Sequence, residues 1–182
     1  MSNEALIIID LQNDYFPGGK LPLVGIEAAT ANAAKVIAAA RASRIPVIHV
    51  QHHAVKPDAP FFVPGTPGVQ IHASVKPEEG ESVVTKNYTN SFRATSLGNL
   101  LGDKGIREVT IAGAMSHMCI DAATRAAADL GFSVTVLHDA CATRDLHFED
   151  RVVAAADVHA AYMAALAASY ASVVSTDSWL AR

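Results

Sequence analysis

Short runs of aliphatic and β-branched residues alternate along this chain with alanine-rich stretches, and that alternation constrains the fold more than any other feature. The runs are Leu6–Ile9, Pro46–Val50, Ser82–Thr85, Glu108–Ile111, Ser133–Leu137 and Ser172–Val174. A nearly continuous apolar run marks a strand buried on both faces, as in a parallel sheet, rather than one with a solvated side. Alanine clusters at 28–42, 122–128 and 154–171. Alanine is the best helix former and lets a helix lie close on a sheet. The alternation therefore predicts βαβ units in an α/β fold: a six-stranded parallel sheet, doubly wound into three layers, in a single domain over residues 1–182. Right-handed crossovers place helices on both faces. In such sheets ligands bind at the carboxyl ends of the strands, beside the point where the winding reverses.

The 182 residues are 51% hydrophobic and 18% charged, which excludes a disordered chain. The net charge is −4 with no basic patch, so neither nucleic acid nor a membrane is an expected partner. No apolar run reaches the roughly 18 residues of a membrane span. The first residues lack the basic and small-residue pattern of a signal peptide, so a cytoplasmic location is expected. Cys119 and Cys141 form no CxxC, which argues against a disulfide framework or a zinc knuckle. The segment from His52 to Gly80 holds five prolines and reads as a long ordered loop, the kind that usually serves function. A small-molecule enzyme or binder remains.

Polar residues just after the strands are the ones to inspect. There is no GxGxxG after the first strand and no phosphate-binding GxxxxGK[ST] anywhere. Instead Asp10 follows Leu6–Ile9 directly. Taken alone it is a general base or a loop cap. Lys86 is the first charge after the third run, and by itself reads as an exposed lysine. Cys119 follows the fourth, where a new helix is expected to begin. The positive end of a helix and a nearby lysine both favour a thiolate there, whereas an ordinary free cysteine is buried and inert. The three fall at the ends of three different strands, and together they read as a nucleophile, a carboxylate base and a cation.

The segments LIIIDLQNDYFPGG (6–19), PGTPG (64–68), VVTKNYTNSF (83–92), AGAMSHMCIDAATRAAADLGF (112–132) and VTVLHDACATRD (134–145) resemble the isochorismatase-like cysteine hydrolases, which include nicotinamidases and N-carbamoylsarcosine amidase. The resemblance covers nearly the whole chain. It implies a sheet of order 3-2-1-4-5-6, a catalytic set of Asp10, Lys86 and Cys119, and a non-proline cis peptide at Ala114–Met115. It also implies an oxyanion hole formed by the backbone N–H groups of Met115 and Cys119. The activity implied is hydrolysis of a C–N bond, amide or ureido, in a small molecule, through a thioester on Cys119. The alternatives are a nicotinamidase or isochorismatase proper, and a non-catalytic binder or redox sensor on the same fold.

Nicotinamidases carry an Asp-x-His metal site completed by a second His. At those positions this sequence has Gln51, His53 and Phe61, and neither Gln nor Phe is a zinc ligand. The expectation is a member without metal or other cofactor despite the nearby His49, His52, His53 and His72; His49, within a strand, reads as a satisfied interior histidine, and the resemblance places His72 where the family often has a His without metal. Phe16, Gln51, Phe61, Phe92 and His117 are the candidate substrate contacts, with Gln12 a further polar candidate and Phe62 a further apolar one. Cys141, followed by Thr143, is read as structural, in a loop after the fifth strand. A helix over Val152–Ala168 is apolar on most faces, which together with the resemblance points to a homo-oligomer, a dimer or tetramer.

Overall fold

The computed structural model describes residues 3–56 and 58–182. Six strands form one parallel sheet: β1 (Glu4–Ile9), β2 (Val47–His52), β3 (Ser82–Lys86), β4 (Glu108–Ala114), β5 (Ser133–Ala142) and, last in the chain, β8 (Ser172–Val174). Their order is β3-β2-β1-β4-β5-β8, so the predicted six-strand arrangement holds, with β8 as its sixth strand. Two further strands, β6 (Leu146–Phe148) and β7 (Arg151–Val153), pair antiparallel in a separate hairpin that the sequence reading did not anticipate.

β1 is buried along nearly its whole length, and its side chains divide by period two between two cores. Leu6 and Ile8 join Leu23, Ile26, Ala33, Val36 and Trp179 on one face, under α1 (Ile26–Ala42) and α5 (Thr176–Leu180). Ala5, Ile7 and Ile9 join Leu97, Leu101, Ala123, Ala127, Met163 and Leu166 on the other. That face is covered by α2 (Leu97–Asp103), α3 (Asp121–Asp129) and α4 (Ala155–Ser169). Each fully buried Ile or Leu contributes about 1.5–3 kcal/mol, so this two-sided burial dominates the stability. Among the described residues, no helix is long and apolar enough to cross a membrane.

Several boundaries differ from expectation. The helix read from Val152 starts at Ala155, because Arg151–Val153 is held in the hairpin. β5 does not stop at Leu137. It continues to Ala142, and Cys141 pairs in register with Gly113 rather than lying in a loop. Residues 53–81 are a loop, broken by two short 3-10 turns at Pro67–Val69 and Ala73–Val75.

Candidate active site

The register of the central strands sets the positions. Ile9 pairs with Val50 on one side and Gly113 on the other, and His52 pairs with Lys86. The chain leaves β1 at Asp10 with φ at 54°, a left-handed conformation that few residues other than glycine adopt. Gly113 has φ at 134°, and a Cβ there would lie 2.0 Å from the Ile9 carbonyl oxygen. A glycine is thus required where β4 presses against the last residue of β1. Beyond it the Ala114–Met115 peptide is cis. The chain then forms one π-helical turn, Ser116–Ile120, in which the Ile120 N–H donates to the Met115 carbonyl, before α3 begins. Cys119 sits in that turn.

Asp10, Lys86 and Cys119 meet in the interior. Asp10 and Lys86 are fully buried, and Cys119 is 5% exposed. Lys86 Nζ lies 2.8 Å from Asp10 Oδ2 as an ion pair. Its N–H groups donate to Cys119 Sγ at 3.2 Å, His52 Nδ1 at 2.9 Å and the Tyr88 carbonyl at 3.2 Å. Among the described residues the Asp10 carboxylate has the Lys86 ammonium and the Cys119 thiol as its close polar neighbours. A fully buried carboxylate is tolerated only when paired, and here the pair is shared with a thiol, an arrangement that points to a working group.

Burial tends to lower the Lys86 pKa, but the Asp10 carboxylate and Cys119 outweigh it and raise the ammonium above its ordinary value. Burial, reinforced by the Asp10 charge, pushes the Cys119 thiol well up, with Lys86 opposing. This corrects the expectation of a thiolate: sealing the sulfur from water outweighs both the lysine and the helix end. The resting cluster is a thiol beside an ammonium–carboxylate pair. Tyr15, also buried and near Asp10, has its phenol pushed up and stays protonated. Cys141 is a free, buried thiol, raised to about 12 by burial.

Asp10, His52 and Cys119 present ligand-type atoms within 4.8 Å of one another. Lys86 Nζ touches all three at hydrogen-bonding or ion-pair distances, so an ammonium already stands at the centre such a cation would need. The nicotinamidase-type positions do not fit a metal either. The Gln51 side chain donates to the Val69 carbonyl at 2.8 Å, and Phe61 packs against Tyr15 and Phe62. The other histidines go separate ways. His49 contacts Glu81 at 3.1 Å, and His72 stacks on Phe16 with centroids 3.8 Å apart.

The remaining candidates scatter. Phe16 and Phe61 line a cleft of about 680 Å³ with Asn13, Lys20, Thr66 and His72, and none of the Asp10–Lys86–Cys119 set lines it. Gln12 is wholly committed to backbone: it donates to the Val69 and His52 carbonyls and accepts from the His52 N–H. Phe92 packs with Phe132 against the apolar cluster that includes Cys119, whereas Phe16 belongs to the other cluster. His117 is held by Thr143, Nδ1 to Oγ1 at 2.6 Å, and sits edge-on to Tyr162. Sequence reasoning passed over His52 as a partner of Lys86. Its signal was its place directly opposite Lys86 at the end of the neighbouring strand.

A model of the isochorismatase domain matches residues 4–178. An isochorismatase family protein of Bacillus subtilis is 48% identical over 176 residues, covering 97% of this chain and 98% of that one. A maleamate amidohydrolase of Pseudomonas putida is 32% identical over 154 residues, 77% of this chain and 72% of that one. A crystal structure of an isochorismatase-type hydrolase from Oleispira antarctica superimposes with a TM-score of 0.96 at 52% identity, over 100% of this chain and 98% of that one. With a full-length sequence match, a shared fold and the buried Asp10–Lys86–Cys119 cluster on one sheet edge, the chain belongs to the isochorismatase family of hydrolases.

Proposed function

We propose that the protein is a metal-independent cysteine amidohydrolase that cleaves an amide or ureido C–N bond of a small molecule. One observation carries this reading: a single ammonium, Lys86 Nζ, lies 2.8 Å from the Asp10 carboxylate and 3.2 Å from the Cys119 sulfur, with all three side chains buried. Relatives named for hydrolysis support it, among them the maleamate amidohydrolase and a streptothricin hydrolase of Streptomyces noursei, 35% identical over 152 residues.

In this mechanism Asp10, paired with Lys86 and beside the thiol, takes the Cys119 proton. Lys86 holds the thiolate. The sulfur attacks the carbonyl carbon, and the oxyanion is received by the backbone N–H groups of Met115 and Cys119. One such donor is worth about 2.7–4 kcal/mol. The protonated Asp10 then gives its proton to the departing nitrogen, and the C–N bond breaks to leave a thioester. Asp10 next takes a proton from water. The resulting hydroxide displaces Cys119, whose sulfur recovers that proton, and the acid leaves. Phe16 and Phe61 would receive an apolar or planar part of the substrate. A redox sensor has less support, because the relatives are named for hydrolysis.

The same reading has the enzyme acting in the cytoplasm as a homo-oligomer. Phe148 and Val152 on the hairpin are 70% and 61% exposed, and the outer side of α4 presents Ala160, Ala161, Ala164, Ala165, Ala167 and Ala168. A second copy of this chain is the occupant proposed for that surface.

The test is ammonia or amine release from a panel of small aliphatic and aromatic amides and ureides, with mass spectrometry for an acyl group on Cys119. Hydrolysis insensitive to chelator is expected, reduced about a thousandfold or more in Cys119→Ala and Asp10→Asn. Activity that needs added zinc, or turnover that survives Cys119→Ala, overturns the reading.

A further inference from the structure

Lys86 has to do two things at once in the proposed reaction: pair with Asp10 and stabilise the sulfur of Cys119. An ammonium has three N–H groups in a fixed tetrahedral arrangement. Four acceptors compete for them: Asp10 Oδ2 at 2.8 Å, His52 Nδ1 at 2.9 Å, and Cys119 Sγ and the Tyr88 carbonyl at 3.2 Å. Once two of the three directions are pinned, the third can point only one way. The Tyr88 carbonyl belongs to the loop that Lys86 itself leads into, so it moves with the lysine. His52 belongs to β2, which lies between β3 and β1, and it is fixed from both sides. Its backbone pairs with Lys86, its N–H donates to Gln12 Oε1, and its carbonyl accepts from Gln12 Nε2. Gln12 is completely buried.

We infer that His52 is a positioning residue of the hydrolase, its Nδ1 accepting one Lys86 N–H so that another is held on the Cys119 sulfur. This deepens the amidohydrolase reading and rests on it for the purpose of the thiolate. For Nδ1 to accept, the ring must be neutral with its proton on Nε2. Its surroundings agree. Burial, then the neighbouring Lys86 charge, lowers its pKa, Asp10 works the other way, and His53 adds to the lowering. The Phe62 ring lies 5.9 Å away, and Cys119 is also near.

The experiment needs no substrate. The rate of iodoacetamide labelling at Cys119 is followed against pH by peptide mass spectrometry, with Cys141 as the internal reference. Three chains are compared: wild type, His52→Leu, which fills the space without an acceptor, and His52→Asn, whose amide oxygen replaces Nδ1. His52→Leu is expected to label Cys119 about tenfold more slowly at pH 7.5, with the half-maximal pH about one unit higher. His52→Asn should restore most of that loss. Cys141 should be unchanged in all three. A merely structural role would lower the melting temperature and leave the Cys119 profile in place. A His52→Leu profile that superimposes on wild type overturns the inference. So does a His52→Asn chain that behaves like His52→Leu. Failure of the amidohydrolase reading would show separately, as no acyl-enzyme across the amide panel with the labelling pattern intact.

Discussion

Gly113 shows how little room a single position leaves. Its backbone is left-handed and a methyl group would collide with the Ile9 carbonyl, one residue before Asp10. Gly113→Ala is expected to lower the unfolding free energy by about 3 kcal/mol or more, read by urea denaturation, because the contact is to backbone and cannot rotate away. A loss under about 1 kcal/mol would mean that β4 can shift without cost. At this scale the sequence was legible where polar residues interrupt apolar runs: Asp10, Lys86 and Cys119 announce themselves as strand-end polar groups. The protonation state of Cys119 was not legible, because burial sets it and burial depends on residues distant in the chain. Which core Phe92 joins was not legible for the same reason, since an aromatic near a strand end can pack toward either.

Among the elements, β2 is tied to the end of α1 and to the start of β3 by one charged knot. Arg41 holds Glu81 with two hydrogen bonds of 2.8 Å and pairs with Glu78 at 3.0 Å, while buried His49 contacts Glu81. Burial works to raise the Glu81 carboxyl, but the Arg41 side chain, the Glu78 N–H and His49 overcome it and hold it at about 2, against an ordinary 4.5. A depressed carboxyl stabilises the fold fully above pH 4.5, and that contribution is lost as the pH falls from 4.5 to about 2. Glu81→Gln should therefore cost up to about 3 kcal/mol at pH 6. The gap to wild type should shrink to about 1 kcal/mol by pH 2.5 and close below pH 2, as thermal melts across that range would show. A gap independent of pH would place the stabilisation in packing instead. Five sheet strands and the three main helices were readable because each is long or strongly patterned, and the three-residue β8 because its β-branched run directly follows an alanine-rich helix. α2 was not: Leu-Gly-Asn-Leu-Leu-Gly-Asp is a poor helix former, and burial of Leu97 and Leu101 holds it in place. The three-residue strands β6 and β7 were too short to carry a period, and a π turn has no side-chain pattern of its own.

For the whole molecule, the two sheet faces are covered by helices, while the hairpin and the outer side of α4 leave apolar groups in water. Phe148→Asp, remote from the buried cluster, is expected to convert a homo-oligomer to monomer in sedimentation velocity while the melting curve keeps a single transition. A wild-type chain already monomeric at micromolar concentration would discard this surface as an interface. The strand order also sets a requirement of reach. Lys86 stands on β3 and Asp10 at the end of β1, with β2 between them. Two strand spacings amount to about 9.6 Å, so the cation at 86 must be carried on a stem long enough to cross a neighbour. Position 86 therefore selects for side-chain length as strictly as for charge, and a histidine there would keep the sign and miss the carboxylate.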